Sequence, residues 1–144
     1  MIVADILQAK GDNVVTVRPT ETLSILAHRL RLERVGALVV STNGKRIDGI
    51  ISERDVVHAF AEHGTDLDEL CVSDVMTRTV TTCSPKDTIA DISGIMTKRR
   101  IRHLPVVEND TLVGIVTVGD VVKHRLDEMQ LEANVLRDYA IAHH

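Results

Sequence analysis

Apolar and polar positions along the chain run through one order of elements twice. A β-favouring stretch, "NVVTV" (13–17), is followed by Pro19, and Thr22 then stands where a helix N-cap is expected. Leu23, Leu26, Ala27 and Leu30 follow at the spacing of one helical face. "ALVVS" and "IDGIIS" read as two strands around the polar turn "TNGKR". A helix is predicted from Glu53 to about His63, with Gly64 as its C′ residue. The pattern then restarts. "RTVTTC" leads to Pro85 and the N-cap candidate Thr88, and Ile89, Ile92, Ile95 and Met96 repeat the helical face. "HLPVVE" and "LVGIVT" flank the turn "ENDT", and a last helix starts at Val118.

Residue matches support a duplication as well as element order. "VADIL" (3–7) aligns with "VSDVM" (72–76), "TVRPTETL" (16–23) with "TCSPKDTI" (82–89), and "VGALVV" (35–40) with "IRHLPV" (101–106). The offset drifts because the second copy drops residues at "QAKGDN" and "TNGKR", where turn chemistry makes deletion cheap. Each copy is β-α-β-β-α. A unit of about sixty residues is marginal alone, so two packed about a pseudo-twofold axis are expected to make one α/β (α+β) body. Residues 1–66 form the first repeat, 67–127 the second, and 128–144 a C-terminal helical extension.

That extension has no counterpart in the first copy. Val122, Leu126, Met129, Ala133, Leu136 and Ala140 alternate steps of four and three, a heptad seam. Such a seam can pack on its own domain or on a partner chain, and its absence from the first copy makes a contact in a homodimer the expectation. His143 and His144 read equally well as native residues or as a tag remnant.

Composition narrows the function classes. The net charge of −4 and a single Phe and Tyr with no Trp speak against nucleic-acid binding and base stacking. Cys71 and Cys83 form no C-x-x-C pair or disulfide framework, which fits a reducing cytoplasm. No signal-peptide pattern opens the chain, and no apolar run approaches the ~18 residues of a membrane span. No metal-spaced histidine pair or Gly-rich phosphate loop is present, since His58 and His63 lie five apart.

The chemistry concentrates in "GIISERDVV" (49–57) and "GIVTVGDVV" (114–122), which share one frame. Ser52 with Asp55, and Thr117 with Asp120, have the spacing of a capping box closed by an acid. The same geometry suits a nucleotide. A helix start offers N–H groups to a phosphate, and a carboxylate one turn in can accept from a ribose diol. Gly49 and Gly114 would then permit close approach of the ligand to the backbone. "KRRIRHLP" places Arg99, Arg100, Arg102 and His103 at the entrance of a strand, as a solvated basic face or as phosphate ligands. The matching positions in the first copy are the small, neutral Gly36 and Ala37.

With these motifs in order and duplicated over residues 1 to about 127, the sequence resembles a tandem pair of CBS (cystathionine-β-synthase) domains of the stand-alone bacterial type. The resemblance implies a disc-like module with two clefts for adenosine-containing ligands: AMP, ADP or ATP, with NAD(H) or S-adenosylmethionine also possible. By it, Ser52 and Asp55 would share one cleft with Thr81, Arg102 and His103. Thr117 and Asp120 would share the other with Val15, Gly36 and Ala37. Arg54 and Pro105 complete the expected ligand-binding set, and no residue is assigned a catalytic or metal role. A non-catalytic nucleotide-binding regulator of an unknown partner protein is the first functional expectation. A ligand-free interaction or dimerisation adaptor, in which both S/T-x-x-D pairs only cap helices, is the alternative.

Overall fold

The computed structural model describes residues 1–11, 13–64 and 66–143, which leaves His144 outside the described residues. The first copy comprises α1 (Val3–Lys10), β1 (Thr16–Val17), α2 (Leu23–Glu33), β2 (Ala37–Val40), β3 (Gly49–Ser52) and α3 (Glu53–His63). The second comprises α4 (Val72–Val75), α5 (Ile89–Arg99), β4 (His103–Glu108), β5 (Thr111–Thr117) and α6 (Val118–Ala142). This is the expected mixed α/β architecture with a duplicated unit and an extended last helix.

Strand β2 pairs antiparallel with β3, bringing Ala37 opposite Ser52, and β1 lies parallel along its other edge. Strand β4 pairs antiparallel with β5 in the same relation, His103 opposite Thr117. The parallel strand expected from "RTVTTC" is reduced to one bridge, Cys83 to Val106. The cause is local: Pro105 stands where the first copy has Val39, and without an N–H it cannot make the second rung of the ladder. Both copies also open with a short helix, α1 and α4, where the sequence showed only the match between "VADIL" and "VSDVM".

Helix starts repeat in kind between the copies. At α1 and α4 an Asp three residues in accepts from the cap backbone, Ile2 N to Asp5 at 3.0 Å and Cys71 N to Asp74 at 2.9 Å. At α2 and α5 the Thr22 and Thr88 hydroxyls accept from Ile25 N and Asp91 N, as expected for N-caps. Only α3 and α6 combine both devices in a full capping box.

Two apolar cores result, and each takes its opening helix from the other copy. Val72 and Met76 pack with Leu23, Leu26, Leu38, Val40 and Ile51. Val3 and Ile6 pack with Ile89, Ile92, Leu104, Val106 and Val116. Backbone bonds fix the exchange: Val3 N to Asp87 O and Ala4 N to Pro85 O on one side, Val72 N to Glu21 O and Ser73 N to Pro19 O on the other, all between 2.8 and 3.0 Å. Gly49 and Gly114 serve this exchange. A Cβ on Gly49 would meet Met76 Sδ at 2.7 Å and the Thr77 carbonyl at 2.8 Å, and one on Gly114 would meet Leu7 Cδ2 at 2.5 Å. The close approach expected of a ligand is made here by the protein's own exchanged segments.

Candidate functional site

The start of α3 faces a cavity of about 550 Å³ between the two copies. The capping box builds one wall. Asp55 Oδ2 accepts from Ser52 N at 2.8 Å and from the Ser52 hydroxyl at 3.1 Å, while Asp55 N donates to Ser52 Oγ. Glu53 N is taken by the Gly36 carbonyl at 2.9 Å. Asp55 Oδ1 and the Arg54 backbone N–H make no such bond among the described residues, so one acceptor and one donor remain for a guest.

The opposite wall belongs to the second copy. Arg100, Arg102 and His103 line it, and Arg54 adds a further guanidinium from the α3 side. Arg54, Arg100 and Arg102 also border an adjoining cavity of about 440 Å³. Arg99 points to other work, donating to the Thr81 hydroxyl at 3.3 Å. His103 lies against Gly36, where an added Cβ would touch its ring at 3.4 Å. Burial, then the positive charges of Lys10 and Arg102, hold the His103 imidazole below its ordinary pKa, against the pull of Glu53 and Asp120. The neutral ring is therefore the favoured form at pH 7.

Comparison with known proteins settles the family. The CBS domain family matches over residues 3–62 and 72–127. The chain belongs to the CBS domain family. A CBS-domain protein of Agrobacterium tumefaciens is 41% identical, superposes with a TM-score of 0.83, and aligns over 87% of this chain and 99% of that one. The CBS domain pair of protein MJ0100, solved with 5′-methylthioadenosine and S-adenosyl-L-methionine, is 25% identical with a TM-score of 0.76 over 85% of this chain and 98% of that one. A protein of Methanopyrus kandleri is 33% identical over 77% of this chain, which spans only 57% of that relative's length.

Within this CBS domain pair, Ser52, Arg54, Asp55, Thr81, Arg102 and His103 are brought together around the 550 Å³ cavity. Gly36 and Ala37, expected beside Thr117 and Asp120, border it too. Val15, Pro105, Thr117 and Asp120 do not line it. Pro105 is buried in β4, opposite Ile115, and its carbonyl accepts from Cys83 N at 3.0 Å. Val15 packs at the edge of the first core.

The second capping box has a tenant. Lys10 Nζ lies 2.7 Å from Asp120 Oδ2 and donates also to the Ile115 carbonyl at 2.9 Å. Burial alone would raise the Asp120 pKa. The bonds from Lys10 and from the Thr117 backbone outweigh it and hold the carboxyl below its usual range.

Several cavity residues had no signal in the sequence. Thr77, Thr79 and Val80 come from the segment after α4, which is tied to β3 by paired bonds of 2.9 Å between Ile50 and Thr77. Arg100 was visible only as part of a basic run. Its left-handed backbone, φ 55°, matches that of Arg34 at the end of α2. Among the described residues no cluster of His, Cys, Asp or Glu could hold a metal, and no helix is long and apolar enough to cross a membrane. Burial, and secondarily Asp87, pushes the Cys83 thiol up to about 12, so it carries no thiolate chemistry at neutral pH.

Proposed function

We propose that this regulatory CBS domain pair binds an adenine nucleotide, without catalysis, in the cavity at the start of α3. Asp55, through its free oxygen, accepts from the ribose hydroxyls. The Arg54 N–H meets the first phosphate, and the Ser52 hydroxyl joins it by turning its one hydrogen away from Asp55, with Arg102, Arg100 and His103 around the charge. Ile50, Val80 and Ile101 offer apolar surface to the base. The volume is within the usual range for small-molecule sites. The single observation that carries the reading is one cavity holding both an acid-capped helix start and three guanidinium groups. Adenosyl compounds bound to the structurally similar MJ0100 pair support the ligand class. The arginines favour AMP, ADP or ATP over S-adenosylmethionine, whose sulfonium adds positive charge.

A thermal-shift panel of AMP, ADP, ATP, NAD(H), 5′-methylthioadenosine and S-adenosylmethionine, with GMP as control, tests it. A ligand at a hundred times its dissociation constant adds about 2.7 kcal/mol, or roughly 5 °C or more at this size. Asp55→Ala is expected to erase that shift while costing about 1 kcal/mol of stability as a lost cap partner. No shift with any adenine ligand at millimolar concentration refutes the proposal and leaves the S/T-x-x-D pairs as caps of an interaction adaptor.

A further inference from the structure

The space at the start of α3 does not end at its three guanidinium groups. Arg54, Arg100 and Arg102, with Ile101, also border the adjoining cavity of about 440 Å³. Met96, Thr97 and Val118 complete that second space, and no carboxylate lines it, whereas the first cavity carries both Glu53 and Asp55. Among the described residues, the ion pairs and side-chain hydrogen bonds of arginine belong to Arg29, Arg78, Arg99, Arg125 and Arg137. Arg54, Arg100 and Arg102 make none, so their donors are left to solvent or to a guest. Like charges gathered round one space without an acid repel one another, a cost that an anionic ligand removes. Nor is the cluster a by-product of duplication. Arg102 and Arg54 answer to Gly36 and Gly119 in the respective other copies, and only Arg100 has a cationic counterpart, Arg34.

We propose that the second cavity takes the outer phosphates of a nucleoside triphosphate, so that the site is built for ATP rather than AMP. The inference rests on the nucleotide reading above and extends it. Orientation follows from where the acids lie. With the ribose on Asp55 and the first phosphate at the Arg54 N–H, the growing negative charge passes from the cavity with two carboxylates into the one with none. The arginines stand at the shared wall, and their planar donor forks match phosphate oxygens by paired bonds. Arg54 comes from the first copy, while every other residue lining the second cavity comes from the second. A triphosphate therefore bridges the copies, and a monophosphate that stops at the shared wall leaves the second cavity to water. Val118 is the first residue of α6, and the Arg102 carbonyl holds its N–H at 3.0 Å, so the outer phosphates also lie beside the start of that helix.

Isothermal titration of the full-length chain with AMP, ADP and ATP, in EDTA so that no metal shields the phosphates, tests the proposal. Affinity is expected to rise in that order, ATP exceeding AMP by about tenfold or more, the worth of one charge-assisted hydrogen bond. Thr97 borders the second cavity and not the first. Thr97→Glu is therefore expected to lower the ATP-to-AMP preference by about fivefold or more, through repulsion of the outer phosphates. Arg54→Gln keeps the backbone N–H, removes the guanidinium, and is expected to weaken ATP more than AMP. Both side chains are exposed, so thermal unfolding of the unliganded variants is expected to stay close to that of the native chain. AMP binding as tightly as ATP, or a preference that either variant leaves unchanged, overturns this inference and leaves the nucleotide reading standing. Binding of none of the three nucleotides overturns both.

Discussion

The starts of α3 and α6 carry the same capping box in the same strand-to-helix frame, yet their surroundings differ. At α3 the carboxylate of Asp55 borders a cavity, and at α6 the carboxylate of Asp120 is occupied by Lys10. The difference goes with a loop deletion just after α4, some forty residues before Asp120 in sequence. Helix α1 is long enough, Val3–Lys10, to carry its last residue to Asp120. Its equivalent α4 stops after one turn at Val75, because the second copy is trimmed just beyond it and the offset falls from 69 to 66. The chain then runs on through Thr77–Thr81, and Thr77, Thr79, Val80 and Thr81 line the cavity. A duplicated motif thus reports a duplicated backbone. Whether it faces a guest is decided by what the exchanged segment delivers.

The largest effect expected from testing this contrast comes from the two close-approach glycines. Gly49→Ala drives a Cβ into the Thr77 carbonyl, a backbone atom held by paired bonds, and should cost about 2–3 kcal/mol by overpacking. Gly114→Ala meets only the end of the Leu7 side chain, which can swing aside, and should cost about 1 kcal/mol. Chemical denaturation of both variants checks the order. Equal losses would mean that α1 and α4 are held alike.

A smaller effect is expected from pH. His103 is neutral at pH 7, and a bound phosphate favours its protonated form, so binding takes up a proton. AMP affinity should therefore rise as pH falls from 7.5 to 6, by at most about tenfold per unit, while the affinity for uncharged adenosine stays flat. His103→Asn should flatten the AMP slope in isothermal titration. The sign for stability is opposite. With its folded pKa below the ordinary value of 6.5, the unliganded protein is favoured above 6.5 and loses that contribution as pH falls toward the lowered value.

The smallest change in stability, and the most direct probe of the contrast, is Lys10→Met. The Lys10–Asp120 pair is partly exposed, so its loss should cost no more than about 1 kcal/mol. The titration should gain a second equivalent of nucleotide as Asp120 is vacated. A stoichiometry that stays at one per chain would show that more than Lys10 separates the two helix starts.

Local chemistry was the legible part of this fold. Caps, turns and the duplicated order depend on residues three or four apart, and Thr22, Thr88, Ser52 and Thr117 cap the helices expected of them. The pairing of Ser52 and Asp55 with Arg102 and His103 was reached through the family resemblance, since no local spacing joins them. What was not legible depends on long-range placement. The exchange of α1 and α4 leaves no trace in periodicity, so Gly49 and Gly114 read as making room for a ligand when they make room for Met76 and Leu7. Lys10 read as part of a turn because nothing nearby in sequence calls for its charge. Gly36 and Ala37 were expected in the other cleft. The Gly36 carbonyl, which accepts from Glu53 N, holds this strand entrance to the start of α3.

The exchanged opening helices also bear on how such a chain arose and how it unfolds. A single-repeat ancestor with the same contacts would have had to trade helices between two separate chains, and its stability would have risen and fallen with protein concentration. Joining the two repeats end to end makes the trade intramolecular. It also denies either repeat an independent existence, because each core is missing a wall until the other has formed. The body is thereby expected to melt in one cooperative step whose midpoint does not depend on dilution.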